Sequence, residues 1–271
     1  MRLTVSHVTT YRFDPPVRSV VQSLRMTPSR TAHQTAFDWK IEIEGAALGA
    51  AFRDGAGDWI VTASLLGPIA GLQIAAQGTV ATEDNSGVLT GHEEKIPPLA
   101  YLESTVLTRA DGALRDLARS VLDRKSDDAL CLAHDLAGTV SDAILYRPGA
   151  TAAHTSAADA LTGGEGVCQD HAHVLIALAH VADIPARYVS GYLFADGHAA
   201  PHEAAHAWAE LWVPDLGWVG FDPANRCCPD ERYVRIGSGI DAHGAAPVRG
   251  VTRGGGGAEA LDVSVEVAAA Q

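Results

Sequence analysis

The chain predicts an α+β fold, with strands first, helices in the middle and strands again at the end. Three observations carry that reading. Residues 1–95 alternate apolar and polar positions with turn residues between the runs. Residues 110–182 hold segments whose apolar residues recur at spacings of three and four. From residue 187 onward, alternation rich in Tyr, Val and Trp returns. Strands and helices grouped in this way argue for antiparallel sheet rather than repeated βαβ units. The 271 residues suffice for two modest domains, and Pro97-Pro98 marks the change of character. The expected division is 1–95, β-rich and sandwich-like, and 96–271, a core that keeps the C-terminal strands.

In the first part, Leu3, Val5, His7, Thr9 and Tyr11 alternate with Thr4, Ser6, Val8 and Thr10. Residues 37–43 set Phe37, Trp39, Ile41 and Ile43 on one face of a second strand. Further strands are expected over 58–66 and 72–82, with turns at Gly45, Asp54-Gly55, Gly67-Pro68 and Asn85-Ser86-Gly87. Helices are expected over 110–125, 127–145 and from Cys168 to just before Asp183-Ile184-Pro185. Asp127 is the expected cap of the second, and Cys131, between Leu130 and Leu132, is expected in its core face. The third is apolar nearly all round, which predicts a buried central helix. Strands follow over 187–194, 205–213 and 218–222; after the glycine run 254–257, residues 261–267 alternate as an edge strand would.

Composition narrows the partners. Twenty Lys plus Arg against 33 Asp plus Glu give a formal net charge of −13, which argues against nucleic acid and anionic membrane surfaces. No stretch is long and apolar enough for a bilayer span, and the first residues lack a leader-like apolar run. The four cysteines are not spaced as a disulfide framework, so the expected compartment is a reducing cytoplasm. No cofactor is called for. Gly163, Gly164 and Gly166 lack the preceding strand and the Lys-Ser/Thr of a phosphate loop.

The chemistry gathers around Cys168. The segment Gly163-Gly164-Glu165-Gly166 delivers it to a helix start, where unpaired backbone N–H groups and the helix dipole favour thiolate over thiol. His206 and Asp222 lie on two later strands joined by Pro214-Asp215-Leu216-Gly217. A hairpin about that turn makes them near cross-strand neighbours. A thiol nucleophile, an imidazole base and a carboxylate that fixes the imidazole tautomer form a complete set for acyl transfer. Asp170, two residues into the helix, is expected to be structural. Glu210, between Trp208 and Trp212 on a face that should be partly buried, needs either an edge position or an Arg partner, for which Arg187 is a candidate.

Four ordered blocks extend this reading: Gly166-Val167-Cys168-Gln169-Asp170, Ile184-Pro185-Ala186-Arg187-Tyr188-Val189-Ser190-Gly191-Tyr192, His206-Ala207-Trp208-Ala209-Glu210 and Gly217-Trp218-Val219-Gly220-Phe221-Asp222-Pro223. They resemble the bacterial transglutaminase-like superfamily. The N-terminal part, including Leu24-Arg25-Met26-Thr27-Pro28, resembles the β-rich region that often precedes that core. The resemblance implies a papain-like fold with Cys168 as nucleophile, His206 as base and Asp222 as orienter. Tyr146, ahead of the nucleophile, is implied as an oxyanion donor. The implied activity is acyl transfer on peptide or isopeptide amides through a thioester. Hydrolysis is preferred, with protein-glutamine cross-linking as the alternative; the implied partner is a peptide or protein substrate.

Two other readings remain at this stage. One is a binding module that keeps the fold, against which the intact Cys, His and Asp argue. The other is a zinc hydrolase using His202-Glu203-Ala204-Ala205-His206, which requires both imidazoles on one helical face. The alternation from residue 205 opposes a helix there, and only Glu231 and His243 offer themselves as a third ligand. Cys227-Cys228 is expected in a loop just past the site.

Overall fold

The computed structural model describes residues 1–124, 128–195, 205–254 and 257–270. The elements run β1 (Arg2–Leu24), β2 (Gln34–Ile43), β3 (Ala47–Arg53), β4 (Trp59–Thr82), a 3-10 turn (Pro98–Leu102), α1 (Gly112–Leu122), α2 (Ala129–Ala143) and β5 (Leu145–Tyr146). They continue α3 (Ala157–Gly163), β6 (Glu165–Gly166), α4 (Cys168–Val181), β7 (Ala186–Leu193), β8 (Ala205–Val213), β9 (Gly217–Phe221), β10 (Tyr233–Gly239), β11 (Val248–Arg253) and β12 (Ala258–Ala269). The class is α+β, as the grouping of the sequence requires.

The long strands β1 and β4 are the spine of a six-stranded antiparallel sheet. β12 pairs the first half of β1 and β11 its second half; β2 and β3 divide β4 in the same way. The break comes where β1 carries Pro15 and Pro16 and β4 carries Pro68, residues that cannot donate to a ladder. Gly67-Pro68 is therefore an irregularity within one strand, not the chain reversal its composition suggests. Phe13, Val17, Val20, Leu24, Leu65, Ile69, Leu72 and Ile74, drawn from both halves, share one buried cluster, so the sheet is sandwich-like.

Two sequence expectations change here. The strand over 37–43 has a bulge between Phe37 and Lys40, with Asp38 at φ 49°. The bulge shifts the phase, leaving Ile43 buried and Phe37 42% exposed beneath the Arg2 guanidinium. The C-terminal strands leave the core: β11 and β12 return to β1, so both ends of the chain build the N-terminal sheet. Alternation marks a strand, but it does not say which sheet edge the strand will find.

In the core, α4 lies against a second antiparallel sheet of order β10-β7-β8-β9, with buried side chains throughout Asp170–Ala179. α1 and α2 pack on α4 through Leu114, Ala118, Val121, Ala133, Leu136 and Val140. Asp111 and Asp128 cap these helices by accepting from Leu114 N and Cys131 N, each at 2.9 Å. Asp127 lies outside the described residues. Cys131 is exposed rather than buried, because the apolar stripe of α2 is carried by Ala133, Leu136 and Val140 and residue 131 falls outside that row. α3, too short to show a period, is closed by a Ser156–Asp159 capping box and ends at Gly164, φ 66°.

Candidate active site

Cys168 is the first residue of α4 and is partly exposed. Its placement follows from the turn before it. Gly164 takes the left-handed conformation that ends α3, and β6 then pairs in parallel with β5, setting Tyr146 beside Gly166. Asp170 fixes the helix start: its Oδ2 accepts from Val167 N at 2.8 Å and from Thr151 Oγ1 at 2.6 Å. A Cβ on Gly166 would lie 2.8 Å from that same oxygen, so the glycine is required by close approach. Asp170 is therefore a buried structural carboxylate, as its position in the helix predicts.

His206 and Asp222 come from the hairpin β8–β9, whose register pairs Ala209 with Phe221 and Val213 with Gly217. That register makes the two residues diagonal neighbours on one face rather than direct partners. The His206 Nε2–Asp222 Oδ2 distance is 2.6 Å, and Cys168 lies near enough to the ring to favour its charged form. The structure thus brings together all three residues singled out from the sequence. Burial disfavours a charged His206, yet Asp222 and Cys168 outweigh that cost and push its pKa up to about 10. Asp222 is buried too, which opposes its charge; hydrogen bonds from His206, Asn225 and Tyr233 nevertheless hold its pKa below the ordinary carboxylate value.

Two residues of this cluster were not singled out from the sequence. Asn225 donates from Nδ2 to Asp222 Oδ2 at 2.7 Å and from its backbone N–H to Oδ1 at 3.2 Å. Its spacing of three from Asp222, across Pro223, was a usable turn signal. Tyr233 donates its hydroxyl proton to Asp222 Oδ2 at 2.8 Å, and Cys227 Sγ lies 3.3 Å from the same hydroxyl. The one phenol proton goes to the carboxylate, so the Cys227 S–H donates to the phenol oxygen. Tyr233 arrives on another strand, and nothing around it in the chain announces the contact.

The remaining sequence candidates fall into place around this centre. Tyr146 is 43% exposed, its ring tilted 6.2 Å from that of His171. A groove of about 360 Å³ has Tyr146, His171, Pro223, Ala224 and Arg226 in its lining. Cys227 and Cys228 lie past the site, lining with His134, Asp222 and Arg226 a cavity of about 170 Å³. Glu210 takes the Arg option: Arg187 Nε reaches it at 2.7 Å and Arg235 Nε at 2.9 Å, all three buried. Arg187 also pairs with Glu94 and lies over the Trp218 ring at 4.1 Å.

Of the zinc motif, His202 and Glu203 lie outside the described residues. His206 itself sits on a strand, with its Nε2 engaged by Asp222. Among the described residues no group of three or more His, Cys, Asp or Glu side chains could hold a metal ion, and no helix is long and apolar enough to cross a membrane.

Comparison with known proteins agrees with this architecture. Residues 115–223 match the transglutaminase-like superfamily core, and residues 3–81 match the bacterial transglutaminase-like N-terminal region. An uncharacterized protein of Mycobacterium leprae is 30% identical over 284 aligned positions, 98% of each chain. A protein-glutamine gamma-glutamyltransferase of Pseudomonas aeruginosa is 34% identical over 82 residues, 28% of this chain and 12% of its own. The crystal structure of a candidate cysteine protease from Cytophaga hutchinsonii superposes with a TM-score of 0.78 at 23% identity, covering 100% of this chain and 91% of that one. With both regions matched in order and a relative aligned from end to end, the chain belongs to the transglutaminase-like superfamily.

Proposed function

We propose that this chain is a cysteine-dependent acyl-transfer enzyme that hydrolyses peptide or isopeptide amides. The observation that carries the reading is the His206 ring, held between Asp222 and a thiol at a helix start. The Cys168 thiolate attacks the amide carbonyl carbon, and as the C–N bond breaks His206 gives its proton to the departing amine. The thioester left on Cys168 is then attacked by water, which yields its proton to His206. The carboxylic acid leaves and the thiolate–imidazolium pair is restored. The backbone N–H of Cys168, among the first of α4 and so without an intrahelical partner, is our oxyanion donor, worth roughly 3–4 kcal/mol of transition-state stabilisation. Tyr146, beside Gly166, is our second. The groove past Tyr146 is where we place the peptide substrate, and free Cys side chains suit a reducing, cytoplasmic setting.

Transfer to an amine, giving a protein cross-link, is the second reading. The similarity to a gamma-glutamyltransferase over 82 residues favours it. Peptide-resolved mass spectrometry after iodoacetamide treatment tests the shared chemistry. Cys131 is the reference thiol, exposed and held above its ordinary pKa by the Asp128 carboxylate. Cys168 should label faster than Cys131 at neutral pH and lose that advantage in His206→Ala; equal labelling would overturn the reading. A glutamine peptide with a labelled amine then separates the outcomes, since hydrolysis leaves the amine unincorporated.

A further inference from the structure

The edge strand β10 is held by the N-terminal sheet on both faces and along its open side. On one face, Val234 and Ile236 join Leu3, Val5, Val80 and Val265 in a buried cluster. On the other, Arg235 donates to Asp58 Oδ1 at 3.0 Å and Ser29 Oγ at 2.7 Å. Along the edge, Gln34 does the work of a missing neighbour strand. Its Nε2 donates to Arg235 O and its Oε1 accepts from Arg235 N, both at 2.8 Å. Thr82, at the end of β4, bonds the carbonyl of Glu231 just before the strand begins.

The residue this grip delivers is Tyr233, the first of β10. Its hydroxyl meets Asp222 Oδ2, the oxygen that also holds His206. Its ring packs edge-on against Trp208 and His206, with centroids 5.6 and 5.8 Å away. Asn225 steadies the carboxylate from its own loop, whereas Tyr233 ties it to a different strand and, through that strand, to a different sheet.

We propose that Tyr233 is a positioning residue for Asp222, and that the N-terminal sheet serves the reaction by gripping β10, the strand that carries Tyr233. This rests on the reading in which Cys168, His206 and Asp222 react. The hydroxyl aims Oδ2 at His206 Nε2 and stabilises the carboxylate, and Gln34 and Asp58 keep the hydroxyl in reach.

The test is the pH profile of Cys168 alkylation in the full chain. Asp222 is faced by His206 from β8, Tyr233 from β10 and Cys227 from the intervening loop, with His134 and Arg226 on the adjoining cavity and Cys168 beyond the imidazole. Tyr233→Phe keeps the ring and removes one hydrogen bond to a charged group, so the acid limb should move to higher pH by about one unit. Gln34→Ala should move it the same way by less, and should add nothing in the Tyr233→Phe background. A Tyr233→Phe profile that superposes on wild type overturns the proposal, as does a full Gln34→Ala shift in the double variant. Should wild-type Cys168 prove no more reactive than Cys131, the functional reading fails, and the Nε2–H proton resonance of His206 still decides the positioning claim. It should move on Tyr233→Phe; an unmoved resonance makes Tyr233 mere packing.

Discussion

Two buried polar clusters share one face of the β7–β10 sheet. His206 and Asp222 lie at one end of β8; Glu210, Arg187, Arg235 and Asp58 lie at the other, with Trp208 between them. Both are deeply buried, yet their chemistry diverges. Burial disfavours the Glu210 carboxylate, but two guanidinium groups override it and bring its pKa down to about 2. Arg cannot give up its proton, so Glu210 has no partner there to exchange a proton with. At the other end the partners are an imidazole and a thiol, and the same burial leaves a proton that can move. Depth alone does not make a reactive site; the identity of the partners does.

The largest effect expected from this contrast is at the thiol. On the proposed reading Cys168→Ala should lower amide turnover by at least roughly 10⁴-fold with little change in the thermal melt, since the partly exposed residue would form the thioester. Glu210→Gln should do the reverse. Removing one member of a buried ion network costs about 3–5 kcal/mol, read as a lower denaturant midpoint, while Cys168 alkylation below the melt is retained. An equal loss of alkylation would show that the two clusters are not separable.

Stability against pH sharpens the comparison further. Glu210 has its pKa depressed from 4.5 to about 2, so its contribution is present above pH 4.5 and fades as the pH falls through 2. The pKa of His206 is raised from 6.5 to about 10, so its contribution is complete below 6.5 and fades as the pH rises through 10. Melting temperatures should peak between those limits, with Glu210→Gln flattening the acid side and His206→Gln the alkaline side. The smallest effect lies outside both clusters: Asp128→Ala, removing the cap of α2, should lower the denaturant midpoint slightly and leave Cys168 alkylation unchanged.

Legibility followed the range of the interaction. The central helix was readable because the residues from Ala172 on are apolar nearly all round, and it is buried from Asp170 to Ala179. Cys168, His206 and Asp222 were readable because each sits in a compact block of sequence. Phe37 was misplaced because one extra residue at a bulge reverses every side chain beyond it, and composition does not reveal a bulge. For Glu210 an arginine partner was foreseen, with Arg187 as a candidate, but not Arg235, which lies 25 residues away. The membership of β11 and β12 in the first sheet was equally hidden.

By itself the sequence determined the class, the buried helix, the turn that begins it and the three side chains proposed to react, because each depends on periodicity or on a few adjacent residues. Only the tertiary structure decided which oxygen of Asp222 meets His206, that Tyr233 and Asn225 share that carboxylate, and that both chain ends close one sheet around β10. The physical reason is that hydrogen-bond geometry and strand pairing are fixed by packing between elements far apart in the chain, which local propensity does not encode.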